Sequence, residues 1–346
     1  MHGVPRWWSA LSAFLWLSMP LNLVRAATNG PGSAWNIVWS DEFNGSTINP
    51  NTWTFETGNN NGWGNSELEY YTGRSQNAYV SNGLLHIVAR KESYNGYNYT
   101  SARMKTQGHF NKAYGRFEFR AKLPPGLGYW PALWLLGTNI TTVGWPACGE
   151  VDVMENNGNV LNKVQGTIHY SDAANNHLQS TGYYNFPSGD SVTNFHNYML
   201  EWTTNMIRWY VDNQLYETQT SWSSSTGPYP APFNQPFFII MNLAVGGAYL
   251  GNPSTNTINS GTVFPGDMQV DYVRVWDLTS PLQLSVKETN STVLLSWPTN
   301  IVCHLQAQTN AAGLTGSWVD LSGASNPYPM PAAQGNGTGF YRLQSP

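Results

Sequence analysis

The stretch that decides the fold is Gly149-Glu150-Val151-Asp152-Val153-Met154-Glu155. Charged residues make up only 10% of the chain, yet three carboxylates fall close together here, separated by apolar residues. Successive side chains of a strand point to opposite faces, so Glu150 and Asp152 share a face that Glu155 would not share in a regular strand. We therefore predict a β-bulge around Val153–Met154 that returns Glu155 to the face of the other two acids.

Clustered carboxylates repel one another, so they destabilise the fold and a purely structural role for this strand is disfavoured. The same proximity separates their pKa values, so that one carboxyl stays ionised while another keeps its proton near neutral pH. Retaining glycoside hydrolysis needs such a pair, a nucleophilic carboxylate and a proton-donating carboxylic acid about 5–5.5 Å apart. That separation requires a curved strand with the acids on its concave face. The alternative is a solvated strand edge, against which the flanking apolar residues argue.

The composition limits the class of protein. With 346 residues, the chain can hold one large β domain and a small one. A net charge of −4 without a basic run disfavours nucleic acid and anionic membrane surfaces as partners. The aromatic content of 14% suits both a β-rich core and the stacking of sugar rings, and the many Gly, Pro and Asn residues favour turns. We expect Cys148 and Cys303 to be free thiols rather than a disulfide or metal ligands.

The spacing Glu-x-Asp-x-x-Glu resembles the signature of glycoside hydrolase family 16. Its bulged form is similar to that of the laminarinases, agarases and carrageenases, whereas the family's lichenases have a shorter, unbulged motif. The resemblance implies an all-β fold, a β-jelly-roll sandwich of two curved antiparallel sheets with a concave substrate cleft. It also implies that Glu150 is the nucleophile, that Glu155 is the acid/base, and that Asp152 lies between the two and tunes them.

Further segments between about Trp35 and Asp277 carry the same resemblance. The segment Gly62–Thr72 is similar to the edge of the glucose-binding cleft in laminarinase-type members, and the segment around Trp130 to a Trp-Pro-Ala-x-Trp stretch. Because Trp130 and Trp134 are four positions apart, they share a face of a regular strand and could form a stacking platform. The substrate-binding residues implied in this way are Asn65, Arg74, Trp130, Trp134, Trp145, His169 and Asn242.

Two strands show clear hydrophobic patterns. The stretch 115–123 alternates, which predicts an antiparallel strand with one wet face; we expect Phe117, Phe119, Ala121 and Leu123 to point inward and Arg116, Glu118, Arg120 and Lys122 outward. The stretch 237–243 is almost wholly apolar, which predicts a central strand buried on both faces. Asn242 is its polar exception.

A structural calcium ion is a further implication of the family resemblance, while catalysis needs no cofactor. Members of the family often hold Ca²⁺ on the convex side near the first and last strands. The matching positions are Glu42, the Gly83 carbonyl and Asp271, whose oxygen ligands suit calcium.

The domain organisation begins with a predicted secretory signal at residues 1–26, in which Arg6 precedes an apolar stretch and Val24-Arg25-Ala26 precedes the cut. A retained membrane anchor is the alternative. We expect a short linker over 27–34, the catalytic domain over 35–278 and a small β-rich module over 279–346. The module is a spacer or sorting unit, or else it binds glycan through Trp318 or Tyr328. The mature protein is expected to be secreted or periplasmic, away from the membrane, and monomeric.

The function that the resemblance implies is that of a secreted, endo-acting retaining glycoside hydrolase. Its substrate would be β-1,3-glucan (laminarin) or mixed β-1,3/1,4-glucan. Agarase, porphyranase or carrageenase activity is an alternative, but a sulfated substrate would favour cations in the cleft, and the segments identified above supply little beyond Arg74. A non-catalytic β-glucan-binding protein is a second alternative, although such relatives typically lack the catalytic acids that are present here.

Overall fold

The computed structural model describes residues 35–278 without interruption, and residues 284–289, 292–297, 304–308, 318–321, 323–331 and 340–344 of the C-terminal part. The predicted signal peptide, the linker over 27–34 and Cys303 lie outside the described residues. The other cysteine, Cys148, is a buried free thiol.

Strands dominate residues 35–278. They are β1 (Trp35–Asp41), β2 (Thr54–Glu56), β3 (Glu69–Tyr71), β4 (Ala78–Ser81), β5 (Leu84–Tyr94), β6 (Tyr97–Ser101), β7 (Arg103–Lys105), β8 (Gly115–Lys122), β9 (Tyr129–Gly137), β10 (Glu150–Glu155), β11 (Lys163–Ser171), β12 (His177–Asn185), β13 (His196–Thr203), β14 (Met206–Val211), β15 (Gln214–Gln219), β16 (Phe237–Val245) and β17 (Gly266–Leu278). The α-helices are α1 (Ile140–Val143) and α2 (Thr255–Gly261). Within the described ranges, no helix has the length and apolarity that a membrane crossing requires.

The strands form two large sheets with a shared core. One sheet has the order β15-β14-β13-β8-β17-β5-β6-β3, with β1 paired to β17 and β4 to β5. The other has the order β12-β11-β10-β9-β16-β7-β2. Side chains from both sheets, such as Phe117 and Phe119 of β8 and Leu133 and Leu135 of β9, meet in one hydrophobic cluster. This confirms the predicted all-β sandwich, with one exception to antiparallel pairing, the parallel pair β3–β6.

Two tight turns lie where the chain adopts left-handed backbone conformations. Asn82 and Gly83, with φ of 54° and 75°, connect β4 to β5. Asp212 and Asn213, with φ of 48° and 68°, connect β14 to β15. Two successive positive φ values are what a two-residue hairpin of type I′ requires, so these turns fix the register of the strands on either side.

The wet face predicted for the strand at 115–123 is wrong at Arg116 and Glu118, which are only 6% and 4% exposed. The reason is that β8 lies between β13 and β17, so neighbouring side chains cover both residues. Arg116 lies 3.3 Å from the Glu118 carboxylate and 3.2 Å from that of Glu201. The Tyr272 hydroxyl donates to Glu118 at 2.7 Å. Mutual pairing keeps these charges from being buried alone.

In the sheet that contains β10, the central strands β9 and β16 carry apolar side chains on both faces. Alternate residues of β9 enter two clusters: Leu133 and Leu135 face the core between the sheets, while Ala132, Trp134 and Leu136 join a second cluster on the opposite face. All nine residues of β16 are buried, which confirms the prediction for 237–243. The second cluster forms the floor of a cleft.

The predicted bulge in β10 is confirmed. The register of β10 shifts between Asp152 and Glu155 against β11, and between Asp152 and Met154 against β9. Val153 and Met154 both pack into the core between the sheets, although they are consecutive residues. Two consecutive inward side chains leave Glu155 on the same face as Glu150, as the sequence pattern requires.

The C-terminal module is also β-rich in its described ranges. Its strands are β18 (Ser285–Thr289), β19 (Thr292–Ser296), β20 (His304–Gln308), β21 (Val319–Asp320), β22 (Tyr328–Pro331) and β23 (Phe340–Gln344). They form the sheets β18-β19-β22 and β21-β20-β23. The guanidinium of Arg342 lies 4.4 Å from the centre of the Trp318 ring, so this ring already has a cationic partner. The module boundary at 278/279 and a glycan-binding role stay predictions.

A buried tryptophan of the sheet opposite β10 forms a hydrogen bond to the backbone at the bulge. The indole Nε1 of Trp209, in β14, donates to the Asp152 carbonyl at 2.8 Å, and its side chain has no solvent exposure. We expect Trp209→Phe to leave that carbonyl short of a donor and to lower the free energy of unfolding by about 1–3 kcal/mol. Because the carbonyl lies at the bulge, activity should also fall.

The matched control is Trp202→Phe. Trp202 is equally buried and donates its Nε1 to the Phe233 carbonyl at 3.1 Å, far along the chain from the acids. Urea unfolding should show a similar loss of stability in both variants, and only Trp209→Phe should lower activity. Equal activity in the two variants would contradict the link to the bulge.

Candidate active site

The concave face of the seven-stranded sheet forms a cleft with a volume of about 770 Å³. All three carboxylates of β10 line it. The further lining residues include the following side chains: Glu56, Asn60, Trp63, Asn65, Glu67, Arg103, Lys105, Trp130, Trp134, Trp145, Gln165, His169, His177, Gln179, Asn242 and Tyr249. Of the substrate-binding residues implied by the sequence, every one except Arg74 is therefore at the cleft.

Burial in this cleft raises the pKa of each acid. For Glu155, burial and then the charge of Asp152 raise the pKa to about 7. For Asp152, burial and then the charge of Glu150 raise the pKa to about 6. Burial also raises the pKa of Glu150, but the positive charge of His169 opposes the rise. Glu155 therefore keeps its proton to a higher pH than Asp152 does.

Glu150 and Glu155, at the two ends of β10, each accept a hydrogen bond from a tryptophan. The Trp145 indole donates to Glu150 Oε2 at 3.1 Å, and the Trp130 indole donates to Glu155 Oε1 at 2.9 Å. Gln165 adds a second donor to Glu155, at 3.0 Å to Oε2. The Trp130 ring stacks on Tyr249 with 4.9 Å between centroids, whereas Trp145 is 47% exposed. The end of β10 at Glu155 is thus enclosed, and the end at Glu150 is open.

His169 lies opposite Glu150 in the register of β10 and β11. Its Nε2 is 3.1 Å from Asp152 Oδ2 and 3.8 Å from Glu150 Oε1. Burial alone would lower the pKa of His169, but its close contact with Asp152 and the charges of Glu150 and Glu155 raise it to about 9. Ligating atoms of Glu150, Asp152 and His169 lie within 4.8 Å of one another.

Comparison with known proteins identifies the cleft. The family model described as "Glycosyl hydrolases family 16" matches residues 64–274, which include the acid strand. The chain belongs to family 16 of the glycosyl hydrolases. It is therefore a glycoside hydrolase, and the cleft that holds the three acids is its candidate active site.

The similar proteins include two glucanases and one solved structure. The chain is 42% identical over 260 residues to glucan endo-1,3-beta-glucosidase A1 of Niallia circulans, a match that covers 70% of this chain and 38% of that protein. It is 43% identical over 258 residues to the beta-glucanase of Rhodothermus marinus, covering 70% and 85%. The laminarinase catalytic domain from Thermotoga maritima superposes with a TM-score of 0.61 at 44% identity, covering 70% and 98%.

A hydrogen-bond network positions the floor tryptophan of the enzyme. The Trp134 indole donates to Asn242 Oδ1 at 2.8 Å, and Asn242 Nδ2 donates to the Tyr71 hydroxyl at 3.1 Å. That hydroxyl donates to Glu67 at 2.9 Å. Asn65 donates to the other oxygen of Glu67 at 3.2 Å. Asn65 and Asn242 thus belong to one network that orients Trp134 in the cleft.

Arg74 is not part of this cleft, which corrects the prediction. Its guanidinium donates to Glu92 at 2.5 Å and to Asn77 at 2.9 Å, and it lies 4.2 Å from the centre of the Tyr94 ring. The strand β3 ends at Tyr71, so Arg74 lies in the connection beyond it and turns towards β5.

The cations that do line the cleft were missed by sequence reasoning. Arg103 lies between two indoles, 4.6 Å from the Trp63 ring centre and 4.8 Å from that of Trp134. Glu56 accepts from Arg103 Nε at 2.5 Å and from Lys105 Nζ at 2.7 Å. A weak signal was present, because Arg103 and Lys105 are two apart and share a strand face. Nothing local indicated that Thr54–Glu56 pairs with that strand.

The proposed calcium ligands are engaged by arginines. Glu42 accepts from Arg274 at 2.9 and 2.8 Å, and Asp271 accepts from Arg120 at 2.5 Å. A carboxylate that is paired with arginine does not fit a calcium shell unless the arginine withdraws. Calcium at Glu42, Gly83 and Asp271 stays a prediction.

Removing the Gln165 amide should raise the pKa of Glu155, because the amide hydrogen bond stabilises the ionised form. We expect Gln165→Met to shift that pKa upward by roughly one pH unit. Carboxyl ¹³C NMR titration measures it directly. Gln269→Met is the control, since Gln269 donates to Asp267 at 2.7 Å outside the cleft lining. An unchanged or lowered pKa of Glu155 would contradict the geometry.

The buried Glu69 should make stability fall at high pH. Burial and then the neighbouring Glu67 raise the pKa of Glu69 well above its usual value. The folded state therefore favours the protonated acid, and this contribution is complete below the unfolded pKa and lost as pH rises through the folded one. Glu69→Gln stays neutral, so its Tm should exceed that of the wild type increasingly as pH rises from 5 to 8.

Glu92→Gln is the control with the opposite sign. Burial would raise the pKa of Glu92, but its hydrogen bonds with Thr100 and Arg74 lower it overall. Its stabilising contribution is present above the unfolded pKa and is lost as pH falls. This variant should therefore be less stable than the wild type at pH 8 and approach it in acid. Parallel Tm curves for the wild type and Glu69→Gln would refute the assignment for Glu69.

Proposed function

We propose that this enzyme cleaves internal bonds of β-1,3-glucan, or of mixed β-1,3/1,4-glucan, with retention of anomeric configuration. The observation that carries the proposal is the bulge of β10, which brings Glu155 to the cleft face of Glu150 and Asp152. The names of the similar proteins, a glucan endo-1,3-beta-glucosidase, a beta-glucanase and a laminarinase, support the glucan as substrate.

In the first step, Glu150 attacks the anomeric carbon and forms a covalent glycosyl-enzyme. Its ionised form is supported by the positive charges of His169 and Arg103 and by the Trp145 hydrogen bond. Glu155 protonates the departing glycosidic oxygen at the same time. A pKa of about 7 suits this role, because about half of the acid is still protonated at neutral pH and its ionised form can take a proton back readily.

In the second step, water attacks the glycosyl-enzyme and Glu155, now ionised, removes a proton from it. Asp152 lies between the two acids, and its charge raises the pKa of Glu155. His169 offsets the negative charge of the cluster. Activity should accordingly decline above about pH 7, as Glu155 loses its proton, and decline in acid as Glu150 becomes protonated.

The cleft surface suits a neutral glucan. Apolar faces of glucosyl rings stack on indoles, and Trp130, Trp134 and Tyr249 offer such faces. Arg103 and Lys105 add positive charge that the sequence argument against sulfated galactans had not counted. Because Glu56 pairs with both, only part of that charge is available to a sulfate group. The choice of glucan therefore depends mainly on the relatives.

We also propose that the chain is exported, as the apolar segment after Arg6 indicates, and that it acts as a monomer outside the cytoplasm. Polysaccharide substrates are found outside the cell, which fits that location.

The test is a product assay on laminarin, lichenan, agarose and carrageenan, with the anomer of the first product followed by ¹H NMR. We expect β-configured gluco-oligosaccharides from laminarin. Glu150→Gln and Glu155→Gln should each cut turnover by at least about a thousandfold while the protein still folds. Near-normal turnover in either variant would refute the assigned roles. Cleavage of a galactan alone would change the substrate, and binding without cleavage would favour a glucan-binding protein.

A further inference from the structure

A second histidine lies behind His169. His177, the first residue of β12, places its Nε2 2.8 Å from His169 Nδ1. The two rings are close to parallel, with centroids 5.1 Å apart and planes at 22°. His177 also contacts Trp145, with 4.5 Å between ring centroids, and it lines the cleft. A series of side-chain contacts, from Asp152 to His169 and from His169 to His177, therefore runs from the acid cluster to the edge strand β12.

The contacts favour one arrangement of the protons on the two histidines. His169 Nε2 faces the carboxylates of Asp152 and Glu150, at 3.1 and 3.8 Å, which favours a proton on that nitrogen. In the 2.8 Å contact with His177, one nitrogen donates and the other accepts. Three neighbouring carboxylates favour a positive charge on His169 over one on His177. The consistent arrangement is a His169 cation that donates from both nitrogens and a neutral His177 that accepts at Nε2.

We propose that His177 is a positioning residue that accepts this hydrogen bond and thereby holds His169 in its doubly protonated form beside Asp152. The proposal rests on the function proposed above. It assigns a role to a residue for which the motif of β10 and β11 gives no indication. With its acceptor in place, the His169 ring cannot rotate freely, and its charge stays beside the nucleophile Glu150.

The surroundings of His177 agree with a neutral acceptor. Burial and then the charge of His169 lower the pKa of His177. The charge that acts on His177 is that of His169 of β11. Glu150 and Asp152 of β10 lie on the other side of the His169 ring, and Asp172 lies in the turn before β12. Asp172 accepts from the backbone N–H groups of Ala174 and Asn176, so its carboxylate is already engaged.

The first test does not depend on any substrate. Imidazole ¹⁵N NMR of the purified full chain at pH 7 should show His169 protonated at both nitrogens and His177 protonated only at Nδ1. His177→Phe keeps an aromatic ring beside Trp145 but removes the acceptor. The protonated form of His169 then loses a partner, so the pKa of His169 should fall. His177→Gln offers an amide oxygen as acceptor and should keep that pKa close to the wild-type value.

Kinetics provide the second test. On laminarin we expect His177→Phe to lower kcat about tenfold with KM changed less than about twofold, as for the loss of a hydrogen bond to a charged group. His177→Gln should retain kcat within about twofold. Leu178→Ala is the control, because Leu178 is a 39% exposed neighbour on the same strand. Thermal unfolding of each variant verifies that it is folded.

Each outcome is decisive. A neutral His169 in the NMR spectrum, or a His169 pKa that is the same in the wild type and in His177→Phe, would overturn the proposal. An equal loss in the Phe and Gln variants with a raised KM would make His177 a substrate contact instead. If laminarin is not cleaved but the NMR pattern holds, the substrate assignment fails while the proton arrangement stands.

Discussion

The single extra residue in β10 is the constraint on which the rest of the site depends. Without it, Glu155 would point into the core between the sheets, where a carboxyl would have no partner. With it, Val153 and Met154 both pack inward, and the cleft receives three acids. Both neighbouring strands adjust their register at this point, and the Trp209 indole supports the Asp152 carbonyl from the opposite sheet. The bulge is therefore held from three directions.

The electrostatics follow from placing acids on an apolar floor. Phe238, Ile240 and their neighbours on β9 and β16 exclude water, which raises the cost of ionising every nearby carboxyl. The fold offsets part of this cost with His169 on one side and Arg103 on the other, each held by its own carboxylate. Burial and fixed charges together raise the pKa of Glu155 to about 7, while the charge of His169 opposes the rise in the pKa of Glu150.

The sequence predicted features that depend on periodicity. The bulge, the doubly buried β16 and the shared face of Trp130 and Trp134 belong to this class, whereas the place of these tryptophans in the cleft was implied by the family resemblance. Prediction from the sequence failed where the neighbouring strands determine whether a side chain is exposed. Arg116 and Glu118 are buried because β8 is central, and Arg74 turns away from the cleft. The cleft cations and His177 were missed because they come from short or edge strands, whose pairing has no local signal.

The two ends of the acid strand differ in a way that matches their chemistry. Glu155 is enclosed by Trp130, Tyr249 and Gln165, so its carboxyl exchanges a proton in a sheltered environment and keeps a high pKa. Glu150 lies beside an exposed Trp145 and beneath the His169 charge, which favours its ionised form. A proton donor needs shelter and a nucleophile needs a fixed counter-charge. One bulged strand supplies both because its neighbours, β9 on one side and β11 on the other, present different side chains to its two ends.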